Sequence, residues 1–306
     1  MPEESFAMSS TPAASIIIPV LNGEATLGEL LAALTAQAGV PGPFEIIVVD
    51  NGSTDHTAEI VRAHGARLLH QPVRGPAAAR NLGLAHAQAD IVVCTDADTL
   101  PTRRWLAALL TAFAGCDTIQ ATGPIHGWRP GTGAERFACA RKIFDCENTA
   151  RHPLHPFAHG MNLAVRRTAA REIGGWDETM MSGEDVDFGI RLRKRFSNST
   201  IAFVDQAILF HKHRCTNDAL WKQARWHGAG YALVMQRHPD LIPWAAWRSG
   251  VVRLSVLTLQ AAAPLVAFCR ATRLLSKQRA EFEDYHRRWT RHFWNGFFGQ
   301  WKKGSP

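Results

Sequence analysis

Along the first hundred positions apolar residues fall into two alternating rhythms. Short continuous runs, SIIIPV (15–20), FEIIVVD (44–50), ARLLHQ and DIVVCTD, read as strands buried on both faces. Between them GEATLGELLAALTAQ (23–37), TAEIVRAH and GPAAARNLGLAHAQ repeat their apolar residues at three- and four-residue spacing, as helices do. The order β-α-β-α-β-α-β predicts an α/β fold with a mostly parallel sheet flanked by helices. Beyond residue 100 the rhythm predicts a helix in PTRRWLAALLTAFA, a strand in IQATGPIHGW and one long amphipathic helix in GAERFACARKIFDCENTARH. A helix in VDFGIRLRKRF and a strand in TIAFVDQAILF follow.

Open sheets of this kind bind ligands beyond the carboxyl ends of their strands. The ends here are PVLNGE, VVDNGSTD and CTDADTL, so three polar clusters are expected to share one crevice. Asp96 and Asp98, one residue apart, repel each other unless a cation lies between them or a polar turn separates them. A bare D-x-D is common in turns. Beside the strand-end Asp50 and the loop Asn51, Gly52, Ser53 and Thr54, it becomes a constellation. Ser53 or Thr54 is expected to cap a helix starting near Asp55. No G-x-G-x-x-G follows the first strand, which argues against a dinucleotide site.

Composition narrows the field. With 306 residues, 46% hydrophobic and 20% charged, the chain is globular and long enough for one large or two modest domains. Its six cysteines lack any C-x-x-C pair, so neither a zinc site nor a disulfide framework is indicated. The opening MPEESFAMSSTPAAS carries acids and no apolar core, so a cytoplasmic protein is expected. Net charge is +7, and the segment from 241 onward, with eleven Lys or Arg against three Asp or Glu, accounts for all of it. That placement speaks against a nucleic-acid groove in the main body and for a local anionic partner such as a membrane surface, with a solvated helix face as the alternative.

SIIIPVLNGEATLGELLAAL, FEIIVVDNGSTDHTAEIV, GPAAARNLGLAHAQADIVVCTDADTLP and GGWDETMMSGEDVDFGIRLR together resemble the family 2 glycosyltransferases over residues 13–230. The resemblance implies a GT-A fold and inverting sugar transfer from a nucleotide-diphosphate sugar donor, dependent on Mn²⁺ or Mg²⁺. It implies that the loop from Pro19 through Leu21 to Glu24 packs on base and ribose, and that Asp50 reads the base. Many members carry a second Asp where this chain has Asn51. Arg80 matches a basic residue near the nucleotide; an exposed helix arginine is the alternative. Asp98 is implied as direct metal ligand, with Asp96 on ribose or metal-bound water. Asp185 is implied as the base that deprotonates the acceptor hydroxyl, with Glu184 orienting it or standing second.

Trp176 is expected to wall the sugar pocket, or else to be core. In FHKHR the resemblance implies that His211 or His213 completes the metal or diphosphate site, with a surface or packing histidine as the alternative; strand alternation puts both on one face and does not separate them. KQARWHGAG (222–230) loosely resembles the Q-x-x-R-W element of processive relatives, so Arg225 is expected to reach the diphosphate.

Three segments are therefore expected: 1–100 for the nucleotide sugar, 101–240 for acceptor and catalysis, and a basic amphipathic helical tail, 241–306. Within the tail LSVLTLQAAAPLVAFC (254–269) is short for a span and broken by Pro264. Trp244, Trp247, Arg248 and Arg253 precede it, a pattern suited to a membrane interface, with a packed C-terminal helix as the alternative. The expected acceptor is a lipid-linked or polysaccharide glycan. Two other readings remain: a sugar-nucleotide-binding scaffold, and a sugar nucleotidyltransferase, whose Gly-rich first loop is missing here.

Overall fold

The structure is a computed structural model that describes residues 11–153, 156–197, 201–241 and 276–303. Its larger sheet has seven strands in the order β3-β2-β1-β4-β8-β6-β9. Here β1 is Ala14–Val20, β2 Phe44–Asp50, β3 Arg67–His70, β4 Ile91–Cys94, β6 Gln120–Thr122, β8 Leu163–Arg166 and β9 Ile201–Phe203. All neighbours run parallel except around β8, which is antiparallel to β4 and β6. The expected α/β architecture is thus present, including the first four strands in their expected places. A second sheet, β5 (Thr99–Pro101), β10 (Leu209–His211) and β7 (Ile125–Gly127), lies at the carboxyl end of β4.

Both faces of the large sheet are covered. Helix α1 (Leu27–Thr35) buries Leu27, Leu30, Leu31 and Leu34, the i, i+3, i+4, i+7 stripe. These meet Ile16 and Ile18 of β1 and Trp105, Leu106 and Leu109 of α4 (Trp105–Thr111). Helix α2 (Thr57–Ala63) adds Val61. On the opposite face Ile17 meets Ala77, Ala79 and Leu84 of α3 (Pro76–His86), α7 (Arg167–Glu172) and Phe188 and Leu192 of α8 (Glu184–Arg195). Strand alternation alone sends Ile17 one way and its neighbours the other.

Pro19 sits in a central strand, where a missing N–H normally costs a ladder bond. The Ile17 carbonyl accepts from Thr95 on the β4 side and the Val20 carbonyl from Asn51 on the β2 side. Alternation therefore turns residue 19 toward β4, whose pairing with β1 has already ended at Ile17–Cys94. The proline occupies a place where no partner strand remains, at the mouth of the crevice.

Several expected elements divide. IQATGPIHGW splits into β6 and β7 because Pro124 interrupts the ladder, and the halves join different sheets. TIAFVDQAILF splits likewise into β9 and β10 around a turn closed by Ala207 N–H to Val204. The long helix breaks into α5 (Gly133–Ala140) and α6 (Cys146–Ala150) at Lys142, whose φ of 52° is left-handed, and Asp145 then caps α6 by accepting from Asn148 N–H. Helix α2 begins at Thr57 rather than near Asp55. Asp55 accepts from Thr57 N–H, while Ser53 Oγ accepts from Asn22 N–H and caps nothing.

Helix α9 (Asn217–Arg237) carries α10 (Lys277–Trp301) along its length. The two backbones touch at Gly228 and Gly296. A Cβ on Gly228 would lie 1.9 Å from the Phe293 carbonyl oxygen, and one on Gly296 equally close to that of Arg225. The last part of the basic tail is therefore packed on α9. Trp244, Trp247, Arg248, Arg253 and the run 254–269 lie outside the described residues. No helix among the described residues is long and apolar enough to cross a membrane.

Candidate active site

The crevice beyond β1, β2 and β4 is built from loops that hold one another. Asn22, itself at φ 55°, accepts from Thr54 N–H through Oδ1 and donates its own N–H to Ser53. Asp50 Oδ1 accepts from Ser53 N–H at 2.9 Å, and its other oxygen lies 3.5 Å from His70 Nδ1. Glu24 faces His56, 3.1 Å away. Leu21, Val73 and Met181 stand exposed on loops tied to Asn22, Asn51 and Gly75.

Asn51 stands where the family resemblance leads one to expect a second Asp, and its amide is fully engaged. Its Nδ2 donates to the Gln71 and Val73 carbonyls at 2.9 and 2.6 Å, and its Oδ1 accepts from Gly75 N–H at 2.7 Å. A carboxylate could accept from Gly75 but would face two carbonyls with nothing to donate. Asn51→Asp is therefore expected to destabilise the protein by roughly 1–3 kcal/mol. Urea denaturation measures this, and an unchanged midpoint would show that the 71–75 loop does not depend on the amide.

Arg80 is the hub of the site. It leaves α3 almost wholly buried and spans two acids, Nη2 on Asp96 at 2.9 Å and Nη1 on Glu184 at 2.7 Å. It is no exposed helix arginine. Gly160 lies flat on the guanidinium; a Cβ there would fall 2.7 Å from Cζ. The same residue donates its N–H to Asp185 Oδ2 at 3.3 Å. Burial raises the Asp96 carboxyl despite Arg80, and burial with the neighbouring Asp185 raises that of Glu184. Arg80→Met would strand both acids and is expected to cost about 3–5 kcal/mol of stability. Arg80→Lys should fall between, because one ammonium does not span both carboxylates; equal stability of all three proteins would discount the hub.

Asp185 opens α8 with its Oδ1 accepting from Val186 N–H and its Oδ2 also 3.7 Å from His159 Nδ1. Burial alone would raise its carboxyl, yet His159 and the other donors hold it below the usual carboxylate range. Two residues on, Asp187 accepts from His238 at 2.9 Å and from Arg191 at 2.7 Å, anchoring the helix from behind.

Asp98 turns away from this hub, toward β10. Its Oδ1 is 3.6 Å from His211 Nε2 and its Oδ2 is 3.5 Å from Arg214. His211 Nδ1 faces His213 Nδ1 at 3.2 Å, so His211 looks toward Asp98 and His213 stands behind it. His213 is pushed down to about 4, chiefly by burial. Phe144 packs against both and against His159 and His227. Sequence reading passed over His159 and His227 because fourteen histidines offered no basis for choosing; only the fold gathers them around one ring.

The profile described as "Glycosyl transferase family 2" matches residues 15–174. The chain belongs to glycosyl transferase family 2. Among curated relatives it is 32% identical over 237 residues to pre-mycofactocin glycosyltransferase of Mycobacterium tuberculosis, covering 74% of this chain and 48% of that protein. It is 29% identical over 225 residues to glycosyltransferase AglE of Haloferax volcanii, covering 71% and 72%. The chain thus spans about half the length of the first relative. Two solved structures share its fold. The mannosyltransferase PcManGT of Pyrobaculum calidifontis, in complex with GDP-Man and Mn²⁺, superposes with a TM-score of 0.67 over 97% of this chain and 89% of its own, at 19% identity. Glucosyl-3-phosphoglycerate synthase of M. tuberculosis, with Mn²⁺ and UDP, gives 0.54 over 73% and 79%, at 24% identity.

Among the described residues no three His, Cys, Asp or Glu side chains come together as a metal cage. Asp98 and His211 nevertheless offer one carboxylate oxygen and one imidazole nitrogen at a spacing that fits two donors to a single divalent ion, with room for non-protein ligands. Asp96, bonded to Arg80, is less free to join them.

Two expectations fail. Trp176 is 1% exposed and its ring stacks on Phe188 at 4.3 Å, so it is core and walls no pocket. Arg225 is exposed and bonded to His292 of α10 at 2.9 Å, not to the crevice. Two residues along a helix turn about 200°, so His227 faces the crevice where Arg225 was expected.

Proposed function

We propose that this chain is an inverting glycosyltransferase that moves a sugar from a nucleotide-diphosphate donor to an acceptor hydroxyl. The carrying observation is that Arg80 ties the D-x-D at the end of β4 to the acidic pair opening α8, within one crevice. Asp98 and His211 would hold Mn²⁺ or Mg²⁺, and the bound cation would supply charge neutralisation for the departing diphosphate. Asp50 and the Asn22–Ser53–Thr54 loop would receive the base and ribose. Asp185, ionised and oriented by Gly160 and His159, would accept the hydroxyl proton as that oxygen attacks the anomeric carbon. A single displacement of this kind inverts the anomeric centre.

The names of the related proteins, with GDP-Man in one and UDP in another, support a nucleotide-sugar donor without fixing the base. A thermal-shift panel of UDP, GDP, dTDP and CDP, each with and without Mn²⁺, tests the reading. The true base at 100 times its Kd should add about 2.7 kcal/mol of stability. No metal-dependent shift with any of the four would count against it. Slow hydrolysis of the matching sugar nucleotide would separate a transferase from a binding scaffold, and absence of pyrophosphate turnover from a nucleotidyltransferase.

The acceptor proposed is a lipid-linked or polysaccharide glycan, with segments 1–100 and 101–240 serving donor and acceptor. The +8 of the segment after residue 240 supports docking on anionic lipid from the cytoplasmic side. Sedimentation with anionic and neutral liposomes, at low and high salt, tests that clause; indifference to lipid charge would remove it.

A further inference from the structure

The break between α5 and α6 leaves a cavity against the C-terminal helix. Its volume is about 450 Å³, and its lining includes Arg141, Lys142, Ile143, His227, Trp289 and Phe293. The walls are of two kinds. Ile143, Trp289 and Phe293 form an apolar side, fixed by the glycine contact that clamps α10 onto α9. Arg141 and Lys142 bring two positive charges, and among the described residues neither is paired with a carboxylate. Arg141 meets a ring nitrogen, His286 Nδ1, at 3.0 Å. Lys142 is placed at the rim by its left-handed backbone, which ends α5 there.

The cavity adjoins the catalytic crevice through His227. That imidazole lines the cavity and packs edge-on to Phe144, whose ring also meets His159, and His159 Nδ1 is 3.7 Å from Asp185. A molecule seated in the cavity could therefore present a hydroxyl toward Asp185 while its remote end stays between the cations and the aromatic rings. A neutral sugar would leave two cations and an apolar wall unused.

We propose that this cavity recognises the acceptor, and that the acceptor is an anionic amphiphile: a phosphate or carboxylate held by Arg141 and Lys142, with an apolar body on Ile143, Trp289 and Phe293. The assignment rests on the transferase reading only for the word acceptor; the ligand class rests on the cavity itself. Remote binding of this kind orients the reacting hydroxyl without taking part in chemistry.

The test uses the full chain and tryptophan fluorescence titration with octyl phosphate, octanoate, octanol and inorganic phosphate. At least one of the two octyl anions should bind saturably and about tenfold tighter than octanol or inorganic phosphate. Whichever binds better names the anion. The Arg141→Gln/Lys142→Gln double variant should weaken that anion by about tenfold or more and leave octanol unchanged. Phe293→Ala should weaken the octyl anion and leave inorganic phosphate unchanged. Hydrolysis of the nucleotide sugar is measured alongside and should be equal in wild type and double variant, since neither cation touches the donor loops. Octanol binding as tightly as both anions, or a double variant that binds them like wild type, overturns the proposal. Absence of donor hydrolysis in the wild type instead strikes the transferase reading, which the titration does not use.

Discussion

Replacing Asp185 by Asn is expected to lower turnover by about 10² to 10⁴ while nucleotide-sugar binding persists. The amide keeps the size of the carboxylate and can still accept the Val186 N–H, so α8 should start where it does now. What is lost is a group able to take a proton. Glu184 cannot readily replace it, because its carboxylate is bonded to Arg80 at 2.7 Å and turned into the buried hub. The measurement is kcat with saturating donor, set against donor Kd by calorimetry. An unchanged kcat would move the base elsewhere; a matching loss of donor affinity would make Asp185 part of the binding site instead. The pH profile follows from the same contacts. His159 and Gly160 N–H depress the folded-state pKa, so the base stays ionised until pH falls below the ordinary Asp value of about 3.9. Loss of rate to base protonation should appear only on the acid side of that value.

The first hundred residues were readable because their signals are local. Continuous apolar strands and leucine stripes fix β1 to β4 and α1 to α3, and parallel order then puts Asp50, Asp96 and Asp98 on one edge without any knowledge of distant contacts. The region from 101 to 240 depends on contacts that sequence rhythm does not carry. IQATGPIHGW looks like one strand, but Pro124 lets its halves join two sheets. Asn162 then ties this break to the one between β9 and β10: its Nδ2 donates to the Gly123 and Ala207 carbonyls and its Oδ1 accepts from Trp105. Lys142 gives no warning of a helix break, since an isolated left-handed residue is decided by packing. Asn51 read as a departure from the family's second Asp and turned out to be a donor to two carbonyls twenty and twenty-two residues away. Trp176 beside an acidic pair looked like a sugar platform, whereas Phe188, on the helix that the pair opens, covers its face.

The two acids of the D-x-D should fail in different ways when each is changed to Asn. Asp98→Asn removes the charge that, with His211, suits a divalent cation, and it touches no other buried acid or the Arg80 hub. Transfer should fall by about 10³ or more, because neutralising the leaving diphosphate is worth several kcal/mol. Binding of the nucleoside diphosphate should lose its dependence on Mn²⁺, while the melting temperature without ligand stays near that of wild type. Asp96→Asn removes one of the two partners of a buried guanidinium. It should lower stability measurably even in the absence of any ligand, as expected when a buried pair is broken from one side. Comparing the two variants by denaturation and by diphosphate binding with and without Mn²⁺ decides the division of labour. Metal-dependent binding of wild-type strength in Asp98→Asn would move the metal to Asp96. A full loss of stability in Asp98→Asn would instead show that His211 and Arg214 need that carboxylate to fold.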